Sequence, residues 1–378
     1  MRDSAMILFL HNRYRTAGGE ERVVGALMAL VREQLDEPVQ LLARDSGDGG
    51  KVRAAAGLLR GGLAPADVGK AVRMSGARVV HAHNLSPQFG WRALAAAKQA
   101  GARVVLHLHQ YRLVCANGVC FTKGAECVRC HGRNTLPGVI HNCRGSRAEA
   151  LAYGVSLALW QRQMAALADV VIVPSEFARE RLRELGAPLD WERVHVLAPP
   201  VQAPTQPVDV GTGGYALVVS RLAPEKGVDV AIDACRLARI PLVVAGDGPE
   251  RAALQRRGDG SDVRFVGRVD DAELARLRAG AALAIVPSRS AETFGMAAAE
   301  AMAAGLPVVA SRVGALVELV PAEGLVEAGD VAACAEAIGR LWRDQDAGAR
   351  AREQARSVCA PERVGVRLGE LYGLAAGG

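Results

Sequence analysis

Short apolar runs recur along this chain. Each is closed by a polar or glycine-containing turn, and a segment with apolar residues every three or four positions follows. Met6-Ile7-Leu8-Phe9-Leu10-His11 is the first run; Asn12 to Gly19 form the turn, and Glu20 to about Gln34 carries Val23, Val24, Leu27, Leu30 and Val31 on one stripe. Runs at 39–43, 78–83, 103–109, 169–173 and 194–197 repeat the design, with helices expected at 89–100, 146–167 and 176–185. Continuous apolar runs suit strands buried on both faces, and strand–helix alternation predicts a parallel, doubly wound sheet with right-handed crossovers. Residues 46–62 are Gly-rich and poorly periodic, and read as a loop with a short helix. A Pro-rich stretch without periodicity, 199–214, interrupts the pattern, which restarts with strands at 215–220, 241–245, 263–269, 284–286, 308–310 and 324–327. At 378 residues the chain is long for one core, so two domains are expected, 1–198 and 215–360, joined by that stretch. Helices at 330–343 and 361–375 finish the chain.

The most informative stretch is 282–311. The strand Ala284-Ile285-Val286 ends at Pro287-Ser288, a polar loop carries Arg289 and Glu292, and a helix begins near Phe294-Gly295. Glu292 therefore sits at the carboxyl edge of the sheet, where open α/β sheets bind ligands. The first amides of the helix, at Phe294, Gly295 and Met296, suit an anion. Glu300 lies among alanines, where a carboxylate needs hydrogen-bond donors or solvent. Arg221 and Lys226 follow the strand 215–220, which puts two cations at the same edge. Together they suit a diphosphate, Arg as a planar fork and Lys as a point charge. Gly246-Asp247-Gly248 is a glycine turn between strand and helix.

Glu292-x7-Glu300 with Phe294-Gly295 between, and Arg221-x4-Lys226 after a strand, resemble the signature of glycosyltransferase family 4, the retaining nucleotide-sugar glycosyltransferases. The resemblance extends over nearly the whole chain. It implies an α/β GT-B fold, two doubly wound Rossmann-like domains facing a central cleft, with terminal residues 361–378 crossing back to the first domain. It implies a retaining, hexosyltransferase-type enzyme moving a sugar from a nucleotide-diphosphate donor to an acceptor hydroxyl in polysaccharide or glycolipid synthesis. In the family the first Glu, here Glu292, contacts the donor sugar, and the second, here Glu300, holds the ribose. Arg221 and Lys226 would neutralise the diphosphate, with Phe294 and Gly295 at the helix start. Gly246 and Gly248 would shape the nucleotide pocket. Gly18 and Gly19 resemble the N-terminal glycine loop. His109, in His-Gln-Tyr-Arg, resembles the histidine that contacts the transferred sugar, and His83 also falls at a strand end. No cofactor is expected for catalysis.

Charge is uneven. Residues 1–198 hold 26 Lys+Arg against 17 Asp+Glu, and the remainder 20 against 23. The basic half suits an acidic partner: a lipid-linked or saccharide acceptor, or peripheral contact with an anionic membrane. No apolar run is long enough to span a bilayer and no signal peptide opens the chain, so a cytoplasmic protein is expected, at most peripheral at the inner face of the membrane. Cys115, Cys120, Cys127, Cys130 and Cys143 crowd 29 residues of a Cys-rich insertion, 111–143. Cys127-x2-Cys130 is a metal-knuckle spacing, and Cys115 and Cys143 could complete a structural zinc site. Reduced thiols and disulfides remain alternatives. Other readings are a sugar-nucleotide epimerase or phosphorylase on the same fold, a non-enzymatic zinc and nucleic-acid binder, or an inactive donor-binding subunit. The cluster has no aromatic-rich basic face, so nucleic acid is not expected as a partner.

Overall fold

A computed structural model describes residues 5–14 and 18–374. The chain forms two compact units. The first comprises residues 1–122, 127–200 and 361–378; the second comprises 123–126 and 201–360.

The first unit is built on a six-stranded sheet. Its strands are β1 (Ile7–Arg13), β2 (Val39–Asp45), β3 (Val79–Ala82), β4 (Arg103–His107), β7 (Val170–Val173) and β8 (Val194–Val196), in the order β2-β1-β3-β4-β7-β8. Two short strands, β5 (Phe121–Thr122) and β6 (Ala125–Glu126), pair apart from it. The second unit has β9 (Tyr215–Val219), β10 (Leu242–Ala245), β11 (Val263–Gly267), β12 (Ala281–Val286), β13 (Val308–Ser311) and β14 (Leu325–Val326), in the order β11-β10-β9-β12-β13-β14. Neighbours in both large sheets run parallel. The apolar runs read from sequence are these strands: Ile7, Leu8, Phe9 and Leu10 are fully buried, and so is β12 along its length. Both sheets are doubly wound, as the alternation predicts, but they are not copies, since the third strand lies on opposite sides of the first.

Five helices differ from the reading. Residues 46–62 contain a full helix, Gly50–Arg60, and four helices were not anticipated: Pro65–Ser75, Gln345–Cys359 and the short Leu136–Ile140 and Leu316–Leu319. Residues 201–214, expected as linker, lie along the second unit. The Val208 amide donates to the Ala304 carbonyl at 2.8 Å, Arg352 holds the Pro204 carbonyl, and Val210 is buried. Helix Pro361–Tyr372 lies on helix Gly19–Gln34 of the first unit, with Gly365 and Gly369 facing Gln34 and Leu35. Among the described residues no helix is long and apolar enough to cross a membrane.

Candidate active site

Ligands of open parallel sheets sit beyond the strand carboxyl ends, where the strand order reverses. In the second unit that point lies between β9 and β12. After β9 the chain passes Arg221 into a single 3₁₀ turn, Pro224–Lys226; after β12 it passes Ser288 and Arg289 to Glu292. The two loops are tied together. The Glu225 carbonyl accepts the Arg289 amide at 2.8 Å, and Arg289 forks onto Asp229 with two bonds of 2.7 Å. Gly227 has φ +63°, and a Cβ there would fall 2.1 Å from the Pro287 carbonyl oxygen. Only glycine permits both that φ and that approach.

This register brings Lys226 and Glu292 into contact. Lys226 Nζ donates to Glu292 Oε1 at 2.5 Å, and Ser288 Oγ donates to the same oxygen at 2.6 Å. No donor among the described residues reaches Oε2 of Glu292. Burial pushes the Glu292 carboxyl up, but the Lys226 ammonium, the Ser288 hydroxyl and the Arg221 guanidinium outweigh it and hold it below the usual carboxylate range. Glu292 is therefore an ionised acceptor beside a cation. Arg221 is ion-paired with Glu225, and more than half of its side chain is exposed. The Gly314–Ala315 turn backs Glu292: the Ala315 amide donates to the Glu292 carbonyl at 2.9 Å, and a Cβ on Gly314 would lie 2.4 Å from the Glu292 nitrogen.

The other sequence-derived residues have distinct surroundings. Glu300 is ion-paired with Arg278 of helix Asp271–Ala279, a partner that no motif singled out. Phe294 is buried, and Gly295 caps helix Met296–Ala303 at φ +99°, where a Cβ would meet Leu316. Gly246 and Gly248 allow one backbone to lie on another. Cβ atoms there would fall 1.8 Å from the Ser220 carbonyl oxygen and 2.3 Å from that of Leu222.

In the first unit strand order reverses between β1 and β3. Residues two apart share a face of a strand. Phe9 and His11, His81 and His83, and His107 and His109 accordingly line one face at neighbouring strand ends. His81 Nδ1 meets the Tyr372 hydroxyl at 2.7 Å, His81 Nε2 meets His107 Nδ1 at 3.2 Å, and His83 Nδ1 meets His109 Nε2 at 2.8 Å. Burial is the main cause holding all four imidazoles below the ordinary range, His109 at about 3. All four are neutral near pH 7. Among the described residues, His81, His83 and His107 are the set of three potential metal ligands whose donor atoms lie within 4.8 Å of one another. Their rings are stacked within 11° and 30°, however, and both nitrogens of His81 are already engaged. The arrangement is a hydrogen-bonded ladder rather than a set of lone pairs aimed at one point.

Around this ladder lie polar residues that sequence reasoning did not select. The Tyr14 hydroxyl donates to buried Glu20 at 2.7 Å and accepts from Arg112 at 3.2 Å. Burial raises the Glu20 carboxyl, against the pull of Tyr14 and Arg112. The available signal was Glu20 directly after the glycine pair and Arg112 three positions past His109. The Gly18 and Tyr14 amides both donate to Glu21, while Gly19 opens the helix. The glycine loop is thus described at its ends; 15–17 lie outside the described residues. Cys115, Cys127, Cys130 and Cys143, with Cys120, line a single pocket of the first unit as free thiols.

Comparison with known proteins agrees with this architecture. The glycosyl transferase 4-like domain matches residues 17–200, and glycosyl transferases group 1 matches residues 213–344. A GDP-mannose-dependent α-(1-6)-phosphatidylinositol dimannoside mannosyltransferase of Mycobacterium tuberculosis is 36% identical over 177 residues, 41% of this chain and 44% of that protein. A D-inositol 3-phosphate glycosyltransferase of Jonesia denitrificans is 35% identical over 158 residues, 34% of this chain and 37% of that protein. These matches span less than half the length of the curated relatives. Sucrose-phosphate synthase from Thermosynechococcus elongatus superimposes with a TM-score of 0.69 at 20% identity, over 97% of this chain and 98% of that one. Anabaena HepE in complex with UDP and glucose gives 0.65 at 21%, over 97% and 98%. The fold is GT-B, and with the two family matches spanning both units the chain belongs to the group 1 glycosyltransferases.

Proposed function

We propose that the protein is a retaining glycosyltransferase that moves a hexosyl group from a nucleotide-diphosphate sugar to an acceptor hydroxyl. The observation carrying this reading is the contact of Lys226 with Glu292 at the reversal of strand order in the second unit. Lys226 and Arg221 meet the departing diphosphate, where charge develops, and a preorganised cation is most effective there. Oε2 of Glu292 accepts from a donor-sugar hydroxyl. Glu300, steadied by Arg278, accepts from the ribose diol, and the amides at Phe294 and Gly295 face phosphate oxygens. Gly246 and Gly248 leave room for the nucleotide by keeping their turn against the backbone of 220–222. In the first unit neutral His109 is assigned to hydrogen-bond the sugar as positive charge grows on it, and the Gly18–Gly19 loop to approach the donor. No cofactor takes part in these steps.

The relatives named for GDP-mannose and for phosphatidylinositol acceptors suggest where to begin. GDP-mannose is the first donor to test, and a lipid-linked or saccharide acceptor is assigned to the basic first unit. Such an acceptor would bring the protein to the cytoplasmic membrane face as a peripheral enzyme. The deciding experiment screens GDP- and UDP-sugars by thermal shift and nucleotide release, then determines the product anomer by NMR. Acceptor-dependent release with the donor's anomeric configuration kept is expected. Inversion, or epimerised sugar nucleotide formed without acceptor, overturns the reading.

A further inference from the structure

The segment 110–145 is long and nearly without regular structure, holding only β5, β6 and the short helix Leu136–Ile140. Loops of this length without secondary structure are uncommon in compact units, and small scaffolds with little core are usually cross-linked. The segment nevertheless brings five thiols from four separate stretches to one place. Cys115, Cys120, Cys127, Cys130 and Cys143 line one pocket, with Phe121, Gly138 and Leu185 among its walls.

From this geometry we propose that the pocket binds one structural zinc ion through Cys115, Cys127, Cys130 and Cys143. Cys120 is left outside as a thiol. Zinc takes four thiolates at about 2.3 Å in a tetrahedron, so one of five must stand outside. Cys120 is the most deeply buried of the five, and its backbone is pinned, with the Cys127 amide on its carbonyl at 2.7 Å. Polar groups already stand beside two of the proposed ligands. The Thr122 hydroxyl lies 3.7 Å from the Cys143 sulfur. Arg129 Nη1 lies 3.7 Å from the Cys127 sulfur. Four thiolates around Zn²⁺ carry a net charge of −2, and such outer contacts orient the ligands and offset that charge. No three of the five sulfurs lie within 4.8 Å of one another, so the proposed site requires the ligand side chains to turn inward onto the ion. On binding, each thiol releases its proton to solvent and no electron moves. Gly138 keeps the wall close: a Cβ there would lie a tight 3.3 Å from the Ala116 Cβ and in ordinary contact, 3.6 Å, with the Cys130 sulfur.

The test uses the full chain, purified with reductant and without chelator, and measures metal by elemental analysis. About one zinc per chain is expected, released when a mercurial reagent titrates the thiols. Cys127→Ser and Cys143→Ser are expected to lose the metal, and Cys120→Ser to keep it. Should the ligand variants fail to fold, cobalt(II) added to the wild-type protein decides. Sulfur-to-cobalt charge-transfer bands and the visible spectrum of tetrahedral cobalt are expected. Wild-type protein that holds no stoichiometric zinc after reconstitution overturns the proposal. So does iron with acid-labile sulfide, a disulfide found by mass, or loss of zinc in Cys120→Ser as complete as in Cys127→Ser.

Discussion

Glu292 owes its charge to its neighbours. Removing the Lys226 ammonium leaves a carboxylate whose burial pushes it toward the neutral form, with the Ser288 hydroxyl and the Arg221 guanidinium left to oppose that. In Lys226→Ala, turnover with the best donor is expected to fall on the order of 10²-fold, the usual cost of deleting a preorganised group at developing charge. Near-normal turnover would remove Lys226 from the mechanism. At this scale much was legible in the sequence. Cations at 221 and 226 and a carboxylate at 292 stand at strand ends, and strand ends are readable from apolar runs. What was not legible is pairing at a distance. Nothing local to Glu300 announces Arg278, and nothing local to Tyr14 announces Arg112. Each contact depends on how two elements cross, not on spacing along one of them.

At the scale of elements, the site depends on the 221–227 loop lying flush on the 287–292 loop. A methyl group at Gly227 would meet the Pro287 carbonyl at 2.1 Å in a backbone region that L-residues avoid. Gly227→Ala is expected to lower stability by more than ~1 kcal/mol and to lower turnover by displacing Lys226. Gly260→Ala is the control, since Gly260 has φ +74° but nothing within 4 Å of a Cβ. It should show only the backbone cost in thermal unfolding and leave turnover unchanged. Equal losses of activity in the two would separate the glycine from the site. Small-residue packing also explains a missed helix. Gln345–Cys359 buries Ala347, Gly348, Ala351 and Ala355, and packs on Met296–Ala303, with Gly348 close to the Gly305 carbonyl. A helix whose inner face is alanine and glycine shows no bulky apolar stripe, so its arginines dominate the reading. Its one legible mark was Asp344, which caps the Ala347 amide at 2.9 Å.

At the scale of the whole molecule the two units answer differently to acid. His81, His83, His107 and His109 are held below the unfolded value of about 6.5. As pH falls below that value the unfolded chain takes up protons that the folded first unit refuses, so its stability is full above ~6.5 and is lost progressively below it. In the second unit the depressed carboxylates are Glu292, Asp229 and Glu323, whose contributions last until pH falls below the unfolded carboxyl range near 4. Calorimetry at pH 5 is expected to show the first unit's transition shifted down from its position at pH 7.5, with the second unit's nearly unmoved. Parallel shifts would contradict this. The basic excess of the first unit is also partly internal. Arg44 holds the carbonyls of Leu63, Ala64 and Gln88, and Arg144 stacks on Tyr153, so the charge difference overstates what faces solvent.

Helix Pro361–Tyr372 belongs to the first unit and supplies the Tyr372 hydroxyl to His81. Deleting residues 361–378 should therefore lower the first unit's melting transition and spare the second's, a result that calorimetry on the truncated chain would show. The same helix sets an order of events on the ribosome. Domains usually close in the order in which they are made. Here residues 361–372 of the first unit are translated after the whole of the second, so the second unit can finish folding while the first still waits for its closing piece. A nascent chain paused before Pro361 would leave His81 without Tyr372 and helix Gly19–Gln34 without its neighbour, an exposed surface for chaperones.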